Sequence, residues 1–236
     1  MFVNIIITGL TRLLMKNYKL LSALLGLNIT FQLISDVTAG KIIEVASYPV
    51  SVTVLYFPVV YIISDVITEV YGYAAARRVL WLTLFASVTA GLVYQAVAYL
   101  PPADIFGANE AYRTVFLTVP RVLLGGWVAV FCGDLVNNYL MAKMKIWCNG
   151  RDLWLRTITS TIGGQFVNTT LFYLIALSGI LPATVLFSSV MSAWAIKVLV
   201  EVVMTPVTYV VIQTIKRIEQ EDYYDRETNF NPLSVR

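Results

Sequence analysis

Seven ionisable residues stand inside stretches of this chain that are otherwise apolar: Asp36, Asp65, Glu69, Asp134 and Glu201 are acidic, Arg121 and Lys197 basic. Each costs about 2.5 to 3.5 kcal/mol at the centre of a membrane helix, so the set is tolerable where it faces protein or water. The spacing points the same way. Asn28, Gln32 and Asp36 recur every four residues, as do Tyr61, Asp65 and Glu69. Asp134 pairs with Asn138, Lys197 with Glu201, and Thr161, Gln165 and Asn168 continue the pattern. Such steps put each set on one helix face. Converging stripes predict a central polar cavity that holds a solute. Five acids against two bases leave it net negative, which favours a cationic or donor-rich solute, or proton coupling. The plainer alternative makes Lys197 and Glu201 an intrahelical ion pair, lets Arg121 snorkel after Pro120, and uses the Ser and Thr residues for helix packing.

Catalytic chemistry fits less well. The chain has no histidine, which removes His-based zinc sites and Ser–His catalysis. No nucleophile motif is present, and an intramembrane enzyme would need a carboxylate dyad such as Asp65 with Asp134. The expectation is therefore no enzyme, no metal and no cofactor.

The elements that must position these residues are membrane helices. Hydrophobic residues make up 58% of the 236, charged residues 13%, and mean hydropathy is +0.74; a soluble domain carries roughly twice that charge. A span needs about 20 apolar residues, and six segments qualify: 18–37, 50–71, 79–100, 115–141, 153–178 and 184–215. The chain reads as an all-α integral membrane protein, a bundle of six transmembrane helices. Residues 1–215 form the transmembrane domain and 216–236 a polar tail too short to fold alone.

Basic residues set the orientation. Arg12, Lys16 and Lys19 precede the first span, Arg77 and Arg78 follow the second, Lys143, Lys145, Arg151 and Arg156 follow the fourth, and Lys216 and Arg217 follow the sixth. Alternate loops share this charge, so both termini are expected in the cytoplasm. The net charge of +3 thus reports topology, and no nucleic-acid partner is expected. The N-terminal apolar stretch lacks a good cleavage site and is expected to stay. Cys132 and Cys148 lack paired spacing and read as reduced. Residues 104–113 suggest a short outer helix or lid, Gly125-Gly126 and Gly163-Gly164 close helix packing, and Pro206 a kink near Glu201.

At Phe57-Pro58, Ser64-Asp65-Val66-Ile67-Thr68-Glu69-Val70-Tyr71-Gly72 and Ala76-Arg77-Arg78, the chain resembles the queuosine precursor transporter family, the YhhQ-type proteins once grouped as vitamin uptake transporters. Pro120-Arg121, Trp154-Leu155-Arg156, Ser160-Thr161, Gly164-Gln165, Lys197, Pro206, Tyr209 and the ending from Asp225 to Pro232 continue the resemblance. It implies a six-helix protein of the inner (cytoplasmic) membrane, similar in fold to vitamin-binding S-components, importing the cyano and aminomethyl forms of 7-deazaguanine for tRNA queuosine. An S-component working with ATPase partners is the alternative within transport. Asn137 and Asn168 depart from the family's pattern, which has acids there, and Asp134 stands where an amide is usual.

A guanine-like base presents an N–H beside an amino group, which suits a carboxylate, and a carbonyl that needs a donor. Asp65 or Glu69 is the expected carboxylate, Lys197, Asn28 or Gln165 the donor, and Tyr56, Phe57, Tyr61 or Trp194 a stacking partner. Gln32, Arg121, Asp134, Asn137, Asn168 and Glu201 complete the expected substrate-binding set. The expected partners are the deazapurine and the lipid bilayer; a homodimer and the coupling cation or proton are left open.

Overall fold

A computed structural model describes residues 18–38, 41–45, 48–117, 120–179 and 182–234. Arg12 and Lys16 of the first basic cluster lie outside the described residues, as do the side chains of Phe57 and Arg121. The elements are α1 (Leu21–Thr38), β1 (Ile42–Val45), β2 (Tyr48–Ser51), a 3-10 turn (Val52–Leu55), α2 (Phe57–Tyr71), α3 (Tyr73–Tyr99), α4 (Asn109–Phe116), α5 (Pro120–Trp147), α6 (Leu153–Leu177) and α7 (Ala183–Glu219).

Three helices, α1, α3 and α7, are long and apolar enough to cross a bilayer by length and composition. The chain is a helical membrane protein. α5 and α6, of 28 and 25 residues, have the length for a span but carry more polar groups. α7 runs 37 residues, about 55 Å, so it outruns a hydrocarbon core of roughly 30 Å and carries Lys216 and Glu219 beyond it.

Two expected boundaries are corrected. The segment from residue 50 begins not as helix but as an antiparallel hairpin, with Ile42 opposite Ser51 and Val45 opposite Tyr48. β-branched residues crowd this stretch and favour extended backbone. Helix α2 starts at Phe57, where Pro58 occupies the first turn and needs no N–H partner. The expected span 115–141 is likewise divided: α4 ends at Phe116 and α5 starts at Pro120, since proline cannot continue a helix but is well placed to begin one. α4 is the short helix anticipated over 104–113, displaced toward the chain's C-terminus.

α2 is the central helix, packed against α1, α3, α5 and α7. Every residue from Tyr61 to Tyr73 is buried, so its charged positions Asp65 and Glu69 have no route to lipid. α5 and α6 form the tightest pair, joined by a turn in which Asn149, Gly150 and Asp152 all have positive φ. Gly133 and Gly164 make that closeness possible: a Cβ on either would sit 2.9 Å from the other's carbonyl oxygen. Small residues let membrane helices approach this far. The anticipated packing role of Gly164 holds, with Gly133 as a partner the sequence reading missed. Gly125 packs against Ala176 in the same seam.

The tail does not trail into solvent. Asp225 accepts from the Tyr73 backbone N–H at 3.0 and 3.2 Å, and Tyr223 N–H donates to the Val70 carbonyl at 3.1 Å. Arg77 donates to the carbonyls of Asn229 and Asn231 at 2.7 and 2.6 Å, and Trp81 Nε1 to Pro232 at 3.1 Å. Phe230 lies under the Lys143 ammonium, 4.0 Å from its ring centre. Gly72, at φ 85°, has Tyr223 and Asp225 packed where a Cβ would be. Arg77, expected to mark membrane topology, is buried and serves this clamp.

Candidate functional site

Two polar clusters flank the middle of α2. The first surrounds Glu69, whose carboxylate is buried. Arg156 of α6 donates to it through both terminal nitrogens, the second at 3.2 Å. Lys216 of α7 donates at 2.7 Å. Lys145 of α5 lies 3.4 Å away and donates to the Glu69 backbone carbonyl at 2.6 Å. Asp222 of the tail joins Lys145 and Lys216. Burial alone would raise the Asp222 carboxyl, but hydrogen bonds from the two lysines hold it below its ordinary value. Three helices are tied to one carboxylate, both of whose oxygens accept from cations, and the tail joins them through Asp222. The sequence reading took Lys145, Arg156 and Lys216 as topology markers; their shared partner was invisible because it depends on helix order in space.

The second cluster lies one turn along α2. Asp65 is fully buried. Its Oδ1 accepts from Asn137 Nδ2 at 3.0 Å, and its Oδ2 has no hydrogen-bond partner among the described residues. Asp134 and Glu201 lie within its electrostatic reach, and Tyr61 is buried beside all three. Lys197 of α7 donates to Asn168 Oδ1 at 3.1 Å and Thr169 Oγ1 at 3.3 Å, both on α6, and interacts with Asp134 of α5.

The cluster is rich in acceptors that lack donors. Asp65 Oδ2, Asn137 Oδ1, Gln165 Oε1 and Glu201 Oε1 are buried without a hydrogen-bond partner among the described residues, and so is the Thr161 hydroxyl. Such a group costs about 1 to 3 kcal/mol when nothing satisfies it, and buried polar atoms in proteins are almost always paired. An arrangement of this kind accepts a solute bearing several N–H groups.

Other expected residues stand apart from this cluster. Asn28 accepts from Thr83 at 2.9 Å and, with Ser64, Asp134 and Asn138, lines a crevice beside it. Gln32 donates to Asp36 at 2.9 Å, and Tyr56 bonds Thr38, both toward the far end of α1. Trp194 donates to the Ile162 carbonyl at 3.0 Å and packs edge-on against Phe166. Arg121 stands in the first turn of α5 and Phe57 in the first turn of α2. Asn138 accepts from Ser64 and Thr68 at 3.1 and 3.0 Å, which ties α5 to α2.

Neither crevice beside the expected site residues is solute-sized among the described residues. The crevice beside Asp134 measures about 10 Å³ and a second, near Asp36, about 20 Å³, whereas a single water needs roughly 10–15 Å³. The physical reason is α2 itself, which fills the space between its four neighbours. The polar stripes on α2, α5, α6 and α7 do converge, but onto one another.

The chain is thus a helical membrane protein in which α2, α5, α6 and α7 each bury an acceptor without a hydrogen-bond partner among the described residues. Residues 51–211 match the model of the family described as "Putative vitamin uptake transporter", and the chain belongs to that family. It is 30% identical over 170 residues to a Bacillus subtilis protein named "Probable queuosine precursor transporter", covering 72% of this chain and 74% of that one. It is 22% identical over 120 residues to the Escherichia coli "Queuosine precursor transporter", covering 51% and 52%. No solved structure matches the chain.

Proposed function

We propose that this chain imports queuosine precursors, 7-cyano-7-deazaguanine, 7-aminomethyl-7-deazaguanine or both, across the inner (cytoplasmic) membrane. It works as a transporter and not an enzyme. The observation that carries this reading is the set of unpaired acceptors at Asp65, Asn137, Gln165 and Glu201 beside the one ammonium of Lys197. The polar edge of a deazaguanine offers the complement: adjacent ring N–H and amino donors for a carboxylate, and a carbonyl for an ammonium. The names of the two relatives favour the same solute.

Asp65 is assigned to the N–H and amino pair, with Glu201 as the second carboxylate. Lys197 takes the carbonyl, exchanging Asn168 or Thr169 for it, and Asn137 and Gln165 satisfy the remaining donors. Tyr61 covers the ring. Asn28 and Asp134 line the approach. Glu69, saturated by Arg156, Lys145 and Lys216, holds the helices together instead of touching solute.

Six spans with both termini in the cytoplasm remain the proposed topology, with residues 1–215 as the transport domain and the tail on the cytoplasmic side. Solute enters when α2 separates from its neighbours.

The test is rescue. Cells unable to make queuosine, supplied with either deazaguanine at low concentration, regain modified tRNA when they express this chain. Expression at the membrane without modification of tRNA overturns the substrate.

A further inference from the structure

A carboxylate that the transport site does not use lies near the far end of α1. Asp36 is 16 residues, about 24 Å of helix, from Leu20, whose backbone bonds Glu219 of the tail end. Gln32 Nε2 donates to Asp36 Oδ1 at 2.9 Å, and the Ser87 hydroxyl donates to Oδ2. Both oxygens of this carboxyl thus face a donor, and no cation pairs with it among the described residues. Asp36 opens on the crevice of about 20 Å³, whose walls include Tyr94, Phe116 and Trp127.

The walls are built to stay. Gly91 has the Trp127 indole where a Cβ would be, 2.7 Å away, so glycine is what seats that ring. Tyr94 and Phe116 stack with centroids 5.1 Å apart and planes 20° from parallel. Phe116 comes from α4, a helix with no buried residue, which packs on α3 with this ring contact among its contacts. α4 therefore covers the crevice from the outer side with Val115 and Phe116.

We propose that this crevice is a second site, which docks a protonated primary amine: the ammonium meets Asp36 in the space that Trp127 and the stacked Tyr94 and Phe116 help to wall. Aromatic faces attract organic cations by their quadrupole, whereas a bare Ca²⁺ takes six to eight oxygen ligands that these walls do not offer. The space fits an ammonium head, and the rest of the ligand extends beneath α4. Resting on the transport reading for its natural ligand, the site selects the aminomethyl form, which is cationic, over the neutral cyano form before either reaches Asp65.

Two measurements on the full chain test this, and they fail separately. In detergent, benzylammonium chloride raises the thermal unfolding midpoint of the wild type while benzyl alcohol does not; Asp36→Asn and Trp127→Leu each remove the rise. In uptake, Asp36→Asn raises the half-saturating concentration of the aminomethyl form about tenfold and leaves the cyano form unchanged, which also shows that the variant folds. Equal loss for both forms, no loss for either, or an undiminished benzylammonium shift in Asp36→Asn overturns the amine site. A shift reproduced by sodium chloride alone overturns it in favour of a metal ion. If the wild type carries neither deazaguanine, the transport reading falls and the benzylammonium result still decides the site.

Discussion

Arg156 of α6 holds Glu69 of α2 in a forked pair, buried on both sides, and it does so where Lys145 and Lys216 also reach the same carboxylate. The pair sits a single turn from Asp65 on one helix face, yet the two acids have opposite circumstances. Glu69 is enclosed by cations; Asp65 faces carboxylates and amides, with one oxygen unpaired.

Glu69→Gln therefore acts on stability. Removing one partner of a buried pair costs about 3 to 5 kcal/mol, here with three cations left facing each other. The variant is expected to lose most folded protein at the membrane, read by detergent-extracted yield and thermal midpoint. A variant with normal yield and selectively lost uptake would move Glu69 into the solute site.

The α5–α6 seam gives a sharper steric test. Gly164→Val places a Cβ against the Gly133 carbonyl and Asn137, backbone that cannot yield, so the variant is expected to lose several kcal/mol or fail to accumulate. Gly163→Ala meets the Leu140 Cδ1 end of a flexible side chain and is expected to be nearly neutral. Equal yields of the two variants would contradict the seam.

The clamp between tail and bundle carries a pH signature. Asp222 has its carboxyl held below its ordinary value by Lys145 and Lys216, and Glu219 is lowered in the same sense by Leu20, Tyr71 and Lys19 against the opposing effect of burial. A depressed folded-state pKa means stability that is present above the unfolded value, about 4 for these groups, and lost as pH falls through the folded value. The thermal midpoint of the wild type is expected to fall below about pH 4, and Asp222→Asn to flatten that fall while lowering the midpoint at pH 7. Asp225, raised by burial, contributes with the opposite sign, so Asp222→Asn is the variant that isolates the effect.

Much of this was legible from residue spacing. The apolar runs marked the long helices, and the four-residue steps picked out Asp65, Asp134, Lys197 and Glu201, which do lie within electrostatic reach of one another in pairs, whereas Asn137, which bonds Asp65, stands outside those steps. What spacing could not convey was pairing across helices. Lys145, Arg156 and Lys216 look like membrane-flanking charge until α2 is placed between their helices. Tail residues Tyr223, Asp225 and Phe230 look solvated until Gly72 and Arg77 are seen to receive them. The hairpin at residues 42–51 was hidden because a short apolar run reads alike as strand or helix end. Trp194 and Tyr56, expected as stacking partners, have contacts that spacing could not convey: Trp194 donates to the Ile162 carbonyl, and Tyr56, just before α2, bonds Thr38.

Uptake of labelled 7-cyano-7-deazaguanine into proteoliposomes bearing the wild type, Asp65→Asn or Lys197→Ala bears most directly on the central site. The wild type is expected to accumulate the label, and each variant, reconstituted to equal density with a wild-type melting profile, to lose at least about 90% of the rate, as about 1.4 kcal/mol of lost recognition dictates. Wild-type rates in either variant would contradict the assignment of those two groups to the solute.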